Sequence, residues 1–208
     1  MHRLLLLITL LLFNIASEAG NLGNQFVTAK LAYGASIDIP RSWQIRRGNE
    51  MRVIETAVGA AIDLAGYSTL VGGTESLLVS SFPDDRLYAG VTVTTTELHS
   101  SSRSSATSLT VAQLRSGDQT IRQGMEATLA QLGGKAWGWT PLIAMSIGKA
   151  TVLHISYLRS SSAGNRRVHI YKFFGTGRIY DVALSTSVAG EGVNGVVLKK
   201  IADSFSAI

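Results

Sequence analysis

A short alternating segment that stops at a proline constrains the fold of this chain more than any other feature. Ile37 and Ile39 alternate with polar residues, which is the pattern of a strand with one buried face. Pro40 ends the strand because proline has no N–H to donate to a neighbouring strand. The segment therefore predicts a sheet packed against a core, and we expect its partner strand to be the run 180–187.

Trp43 follows the proline closely and opens a second short strand over 43–47. A ring of this size, on the same strand face as Ile45, predicts an anchor that closes one end of the core. The alternative is that the ring stacks on a ligand.

The rest of the chain alternates between strand and helix patterns, without an internal repeat or an interdomain linker. Strands are predicted where apolar residues recur at every second position, and helices where they recur at every third and fourth position. Antiparallel hairpins with helices between them indicate an α+β fold, in which helices flank an antiparallel β-sheet. The predicted strands are 36–39, 43–47, 75–83, 87–99, 142–147, 149–159, 166–174 and 178–187, and the predicted helices are 49–66, 110–132 and 196–205.

Four segments, in their order along the chain, make the sequence resemble the PsbP-like proteins. They are the Ile39-Pro-x-x-Trp43 motif, Gly148–Tyr157, Arg178–Ser185 and Ile201–Phe205. PsbP-like proteins share an α/β/α sandwich with the Mog-type Ran-binding proteins and with several exported bacterial proteins. The resemblance spans roughly residues 34–205. It implies the same sandwich and a binding or accessory role, with no common catalytic residues to transfer.

The N-terminus has the parts of a secretory signal peptide. His2 and Arg3 give it a positive start, an apolar run follows over 4–13, and small residues occupy positions 17 and 19. An apolar run of this length is too short to cross a bilayer, which takes about 20 residues. We therefore expect cleavage after Ala19.

The expected domain organisation follows from that cleavage. Residues 1–19 are the signal peptide, 20–34 a lead-in segment and 35–208 a single PsbP-like domain. The mature protein is then expected in the periplasm or outside the cell, without stable insertion in a membrane.

Composition narrows the function classes. The chain has no cysteine, which excludes disulfides, thiolate nucleophiles, cysteine-bound metals and a lipoprotein anchor. The net charge is +5 and is unchanged when Arg3 and Glu18 leave with the signal peptide. Because the basic residues are dispersed along the chain, a solvated basic surface is favoured over a nucleic-acid site.

Two patterns could suggest a metal or a dinucleotide. His154 and His169 lie on neighbouring predicted strands and could approach diagonally, with His99 or Glu97 as the candidate third ligand. The spacing matches no metal signature, so we favour two unrelated strand histidines and no cofactor. The run Gly190–Gly195 matches G-x-G-x-x-G, but only thirteen residues follow it, too few for the next strand of a dinucleotide fold. Its glycines instead predict a turn between a strand and a helix.

No catalytic residues are assigned. The sequence lacks G-x-S-x-G, and its carboxylates are scattered. A triad built from distant residues, for example His154 and Asp181 with a serine, stays open because such sites carry no local signature.

Two groups of residues are candidates for a contact surface. Trp137 and Trp139 lie in a predicted loop, where aromatic rings can bind a partner, although one ring could fold back over the core. Arg41, Arg46 and Arg47 surround the Pro-Trp turn and could bind phosphate or carboxylate. The alternative for the arginines is that they are surface charges that protect a sheet edge.

Together these observations predict an exported, non-enzymatic binding or accessory protein of the bacterial cell envelope, with another protein as its partner. Two alternatives remain: an exported hydrolase whose active site has no sequence motif, and an immunity or secretion-adaptor protein.

Overall fold

The computed structural model describes residues 25–46, 75–82, 84, 86–97, 109–131, 133–160 and 164–207. The predicted signal peptide, the predicted helix over 49–66, His99 and Arg47 lie outside these residues. The elements are, in chain order, β1 (Phe26–Lys30), β2 (Ser36–Pro40), β3 (Gln44–Arg46), β4 (Glu75–Ser81), β5 (Ala89–Glu97), α1 (Val111–Gln131), β6 (Ala136–Trp137), β7 (Ile143–Ile147), β8 (Ala150–Arg159), β9 (Arg166–Gly175), β10 (Arg178–Ser187) and α2 (Glu191–Ser204).

The strands form one large and one small sheet, and every described pairing is antiparallel. The large sheet has the order β3-β4-β5-β10-β9-β8, and both β6 and β7 pair with the outer side of β8. The small sheet consists of β1 and β2. This architecture, with α1 and α2 packed against antiparallel strands, confirms the predicted α+β class.

The two faces of the large sheet carry separate cores. One face packs against α2 and the small sheet, and the other packs against α1; we call them the α2 face and the α1 face. The α2-face core contains Trp43, which is only 7% exposed, so its predicted role as a core anchor is confirmed. Within the described residues, neither helix is both long and apolar enough to cross a membrane.

The partner expected for β2 was wrong. β2 pairs with β1, whereas β10 lies between β5 and β9. Alternation fixes which face of a strand is buried but not which strand lies beside it. β2 and β10 instead meet through their side chains, because Ile37 and Ile39 share one core with Tyr180 and Leu184.

The segment 20–34, interpreted as a lead-in, contains β1. The buried residues of this strand are Phe26 and Ala29, three positions apart. A strand normally buries every second residue, so the sequence lacked the signal that would have revealed this one.

The helices differ in how well their starts were predicted. Thr110 caps α1 as expected: its Oγ1 accepts from the Gln113 N–H at 3.2 Å, and Gln113 Oε1 accepts from the Thr110 N–H at 2.8 Å. The second helix was expected over 196–205 but begins at Glu191. The glycines at 192 and 195 therefore lie inside α2 rather than in a turn, at positions where an added Cβ would meet nothing within 4 Å.

Candidate functional site

The two candidate tryptophans lie on opposite faces of the large sheet. Trp137, in β6, pairs with Leu158 and so lies on the α2 face, where it is 38% exposed. Trp139 packs on the α1 face, where its ring stacks on Tyr157 with centroids 4.5 Å apart. Between them Gly138 adopts a φ of +60°, a left-handed conformation that turns the chain and that glycine adopts without strain. One ring thus folds back over a core, and the other is left at the surface.

Side chains of α1 hold Trp139 in place. Its Nε1 donates to Glu126 Oε1 at 3.1 Å, and the Arg122 guanidinium lies 5.3 Å from its ring centroid. Arg122 also donates to the Thr140 carbonyl at 3.0 Å, and Asp118 Oδ1 accepts from the Leu142 N–H at 2.9 Å. The segment between β6 and β7 is therefore fastened to α1.

The two candidate arginines that the structure describes, Arg41 and Arg46, lie far from Trp137. Arg46 belongs to β3, which is the terminal strand on the opposite side of the large sheet from β6. Arg41 is exposed in the turn between β2 and β3. The structure therefore does not bring these arginines and Trp137 into one surface.

His154 and His169 are in contact, so the interpretation of two unrelated histidines was wrong. Their strands place them diagonally across β8 and β9, and His154 Nε2 lies 3.2 Å from His169 Nδ1. The two rings are nearly parallel, and the Tyr171 ring stacks on His154 with centroids 4.6 Å apart. Among the described residues no third histidine, aspartate or glutamate completes a metal site.

The surroundings keep both histidines neutral near pH 7. Burial, followed by the neighbouring His169, lowers the pKa of His154 to about 4. Burial and then Arg167 lower the pKa of His169, while Glu191 opposes them. A hydrogen bond between two imidazole rings needs one unprotonated nitrogen as the acceptor. The lowered pKa values keep such a nitrogen present near pH 7.

The structure separates the residues of the possible triad. Asp181 lies on the α1 face, where Lys172 Nζ donates to both of its carboxylate oxygens at 2.7 Å. His154 lies on the α2 face, on the other side of the sheet. His154 and Asp181 therefore cannot act on one substrate.

The G-x-G-x-x-G run and one S-x-x-K match both have structural explanations that do not involve ligand binding or catalysis. Gly190 closes a 3-10 turn, in which its N–H donates to Ser187 Oγ at 3.1 Å, and β10 has antiparallel neighbours on both sides. This is not the parallel βαβ unit of a dinucleotide site. Sequence reasoning missed a literal S-x-x-K match at Ser146 and Lys149, but a hairpin turn separates the two residues, whereas a helix would align them on one face.

A groove of about 640 Å³ lies between α1 and the large sheet. Its floor is mainly apolar and includes Ile170, Phe174 and the Lys172–Asp181 pair. The helix contributes small side chains at Gly117 and Thr120, where packed helices normally carry large apolar residues. These small residues leave the space open.

The large sheet, with α1 packed on one face and α2 on the other, defines this chain as an α/β/α sandwich. The cyanobacterial PsbP of Synechocystis has the same fold, with a TM-score of 0.56 and 12% identity over 88% of this chain and 93% of that one. LpqN of Mycobacterium tuberculosis, described as involved in cell envelope biogenesis, aligns with a TM-score of 0.41 and 11% identity over 88% of this chain and 91% of its own. No protein-family profile and no curated protein sequence matches the chain. The PsbP-like fold predicted from the order of the sequence motifs is thus confirmed.

Proposed function

We propose that this chain is an exported, non-enzymatic binding protein of the bacterial envelope that contacts another protein through its exposed tryptophan. The signal-like N-terminus supports export, and the PsbP-like fold supports an accessory role. An adaptor or an immunity factor would be a particular case of this function.

The non-enzymatic part of this proposal is supported by the contacts of the ionisable side chains, which are made to one another. The two histidines satisfy each other, and the Asp181 carboxylate is held by Lys172. Neither pair sets a nucleophile beside a general base, which is the arrangement that covalent catalysis requires. Purified protein that turns over a hydrolase substrate above background, with loss on mutation of a named residue, would contradict this part of the proposal.

The observation that carries the proposal is that two large apolar side chains, Trp137 and Ile143, are exposed on the α2 face beside β8. Trp137 pairs with Leu158, and Ile143 is 46% exposed on β7, which borders the same strand. Tryptophan is enriched among interface residues that cost 2 kcal/mol or more, roughly, when removed. β6 pairs with β8, and the segment that follows it is fastened to α1, so the backbone that carries Trp137 is ordered before binding, which reduces the entropy lost on association.

Capture from an envelope extract tests the surface. Trp137→Ala should reduce recovery of a specific partner at least tenfold, while Val196→Ala, at an exposed position on α2, should leave recovery unchanged. Equal recovery with both variants would remove the surface from the proposal. N-terminal sequencing of the protein from the envelope tests export separately, with Gly20 as the expected first residue.

The groove beneath α1 favours a second candidate function, the binding of a small, mainly apolar ligand. Its volume lies within the 300–1,000 Å³, roughly, of known ligand pockets. Thr120→Leu should fill part of the groove and weaken binding of an apolar fluorescent dye, whereas Val196→Leu, on α2, should not. Equal dye binding by the two variants would speak against a ligand site.

A further inference from the structure

No strand in the described part of the chain pairs with the outer edge of β7, and the sequence of β7 is nearly symmetric. β7 reads Ile143-Ala-Met-Ser-Ile147, with isoleucine at both ends, small residues next to them and Met145 at the centre. It carries no charge and no proline, the two devices that most often protect a sheet edge. Ala144 and Ser146 are exposed.

The hairpin between β7 and β8 determines which backbone groups point outwards. Two residues, Gly148 and Lys149, connect the strands, and Gly148 has a φ of +56°, as a tight hairpin turn requires. The pair that flanks such a turn, Ile147 with Ala150, is hydrogen-bonded, and bonding alternates from there along the strand. Ile143, Met145 and Ile147 therefore bond to β8. Ala144 and Ser146 direct their N–H and C=O groups to the other side of β7, away from β8.

The neighbouring parts of the sheet edge are protected, and β7 is not. Before β7, the backbone at Thr140 and Leu142 bonds to side chains of α1. The opposite terminal strand, β3, is three residues long and carries Arg46. Among the described strands, β7 thus combines an open edge with five uncharged residues.

We propose that β7 pairs with β7 of a second copy of this chain, antiparallel and about a two-fold axis through Met145. In this register Ala144 bonds to Ser146 of the second copy, and Ser146 bonds to Ala144 of the second copy. Four hydrogen bonds form, and they satisfy all the outward groups of both strands. Small residues then face each other on the α1 face, and each isoleucine meets an isoleucine on the α2 face.

The chemistry of the strand favours a second copy over an unrelated extended peptide. The sequence Ile-Ala-Met-Ser-Ile reads almost the same in both directions, so a two-fold axis through Met145 sets small residues opposite small residues and isoleucine opposite isoleucine. No like charges meet in the paired region. The contact is short, so the dimer should be weak.

Single cysteines test the pairing without ambiguity because the chain has no cysteine of its own. At Met145 the two copies would bring their Cα atoms to about 4.5–5.5 Å, which a disulfide can bridge. At Ile143 the two copies would be about 14 Å apart, beyond the roughly 7 Å limit for a disulfide. Met145→Cys should therefore cross-link at least tenfold faster than Ile143→Cys in a glutathione redox buffer.

A charge placed on each terminal strand supplies the matched control. In the Met145→Cys background, Ser146→Lys puts two ammonium groups beside the axis and should slow cross-linking at least fivefold. Gln44→Lys adds the same charge to β3, at the opposite edge, and should leave the rate unchanged. Circular dichroism checks that every variant folds. Sedimentation of the unmodified protein gives the affinity. Equal cross-linking of the cysteine variants at 145 and 143, or equal effects of the two lysines, would overturn the proposal.

Discussion

Trp139 stacks on Tyr157, with ring centroids 4.5 Å apart and ring planes inclined by 23°, while Trp137, two residues earlier, lies exposed on the other face of the sheet. The two tryptophans therefore contribute to different properties of the protein. Trp139 covers the α1-face core, and Trp137 is exposed on the α2 face.

Replacing each tryptophan by alanine should separate these contributions. Trp139→Ala should lower the free energy of unfolding by about 2 kcal/mol, less than the 3–5 kcal/mol of a fully buried ring because Trp139 is only partly buried. Trp137→Ala should cost less, about 1 kcal/mol, because more of its ring is already exposed in the folded protein. Urea denaturation of the two variants checks both values. A large loss for Trp137→Ala would assign that ring to the core instead.

The capping box of α1 gives a second prediction for stability. Thr110→Ala removes the oxygen that accepts from the Gln113 N–H, and it should cost about 1 kcal/mol. Thr110→Ser keeps the hydroxyl and should cost only a small fraction of that. The measurement is urea denaturation of both variants. Equal losses would show that the methyl group of the threonine, rather than the cap, stabilises this end of the helix.

The histidine pair predicts a loss of stability in mild acid. The pKa of His154 falls from its ordinary 6.5 to about 4 on folding, so between those values the unfolded chain binds more protons than the folded one. Stability is therefore fully present above pH 6.5 and declines as the pH falls towards 4. The decline should amount to about 1 kcal/mol between pH 7.5 and 4.5, since the pair is only partly buried and solvent screens it.

His154→Gln tests whether the histidine pair causes that decline. The variant removes one titrating ring and leaves His169 beside a neutral amide. The difference in unfolding free energy between pH 7.5 and pH 4.5 should then shrink by more than half. An unchanged pH dependence would assign the acid sensitivity to carboxylates elsewhere.

The parts of the fold that could be predicted from the sequence are those set by neighbouring residues along the chain. The strand predicted over 178–187 matches β10, and the helix predicted over 110–132 matches α1 to within one residue at each end. Both signals are local, since periodicity and a cap lie within the element itself. The pairing of β2 with β1 was missed because strand partners are set by contacts distant in sequence.

The candidate site was harder to predict for the same reason. Residues two apart on a strand share a face, so Trp137 and Trp139 would lie together if the strand were continuous. The positive φ of Gly138 separates them, and the sequence shows the glycine but not its conformation. The contact between His154 and His169 depended on the register of β8 with β9, which hairpin spacing allowed but did not determine.

The Lys172–Asp181 pair gives the last prediction. Both side chains are mostly buried, 19% and 15% exposed, on the floor of an apolar groove. Lys172→Met should destabilise the protein by about 2–3 kcal/mol because it leaves the Asp181 carboxylate without its partner in a poorly solvated place. The double variant Lys172→Met with Asp181→Leu should recover most of that loss, since replacing both charges leaves no unpaired ion and extends the apolar floor. Urea denaturation of the single and double variants forms a double-mutant cycle whose coupling energy should be at least about 1 kcal/mol. Additive losses would show instead that the two charges are each well solvated and that the groove floor tolerates an isolated carboxylate.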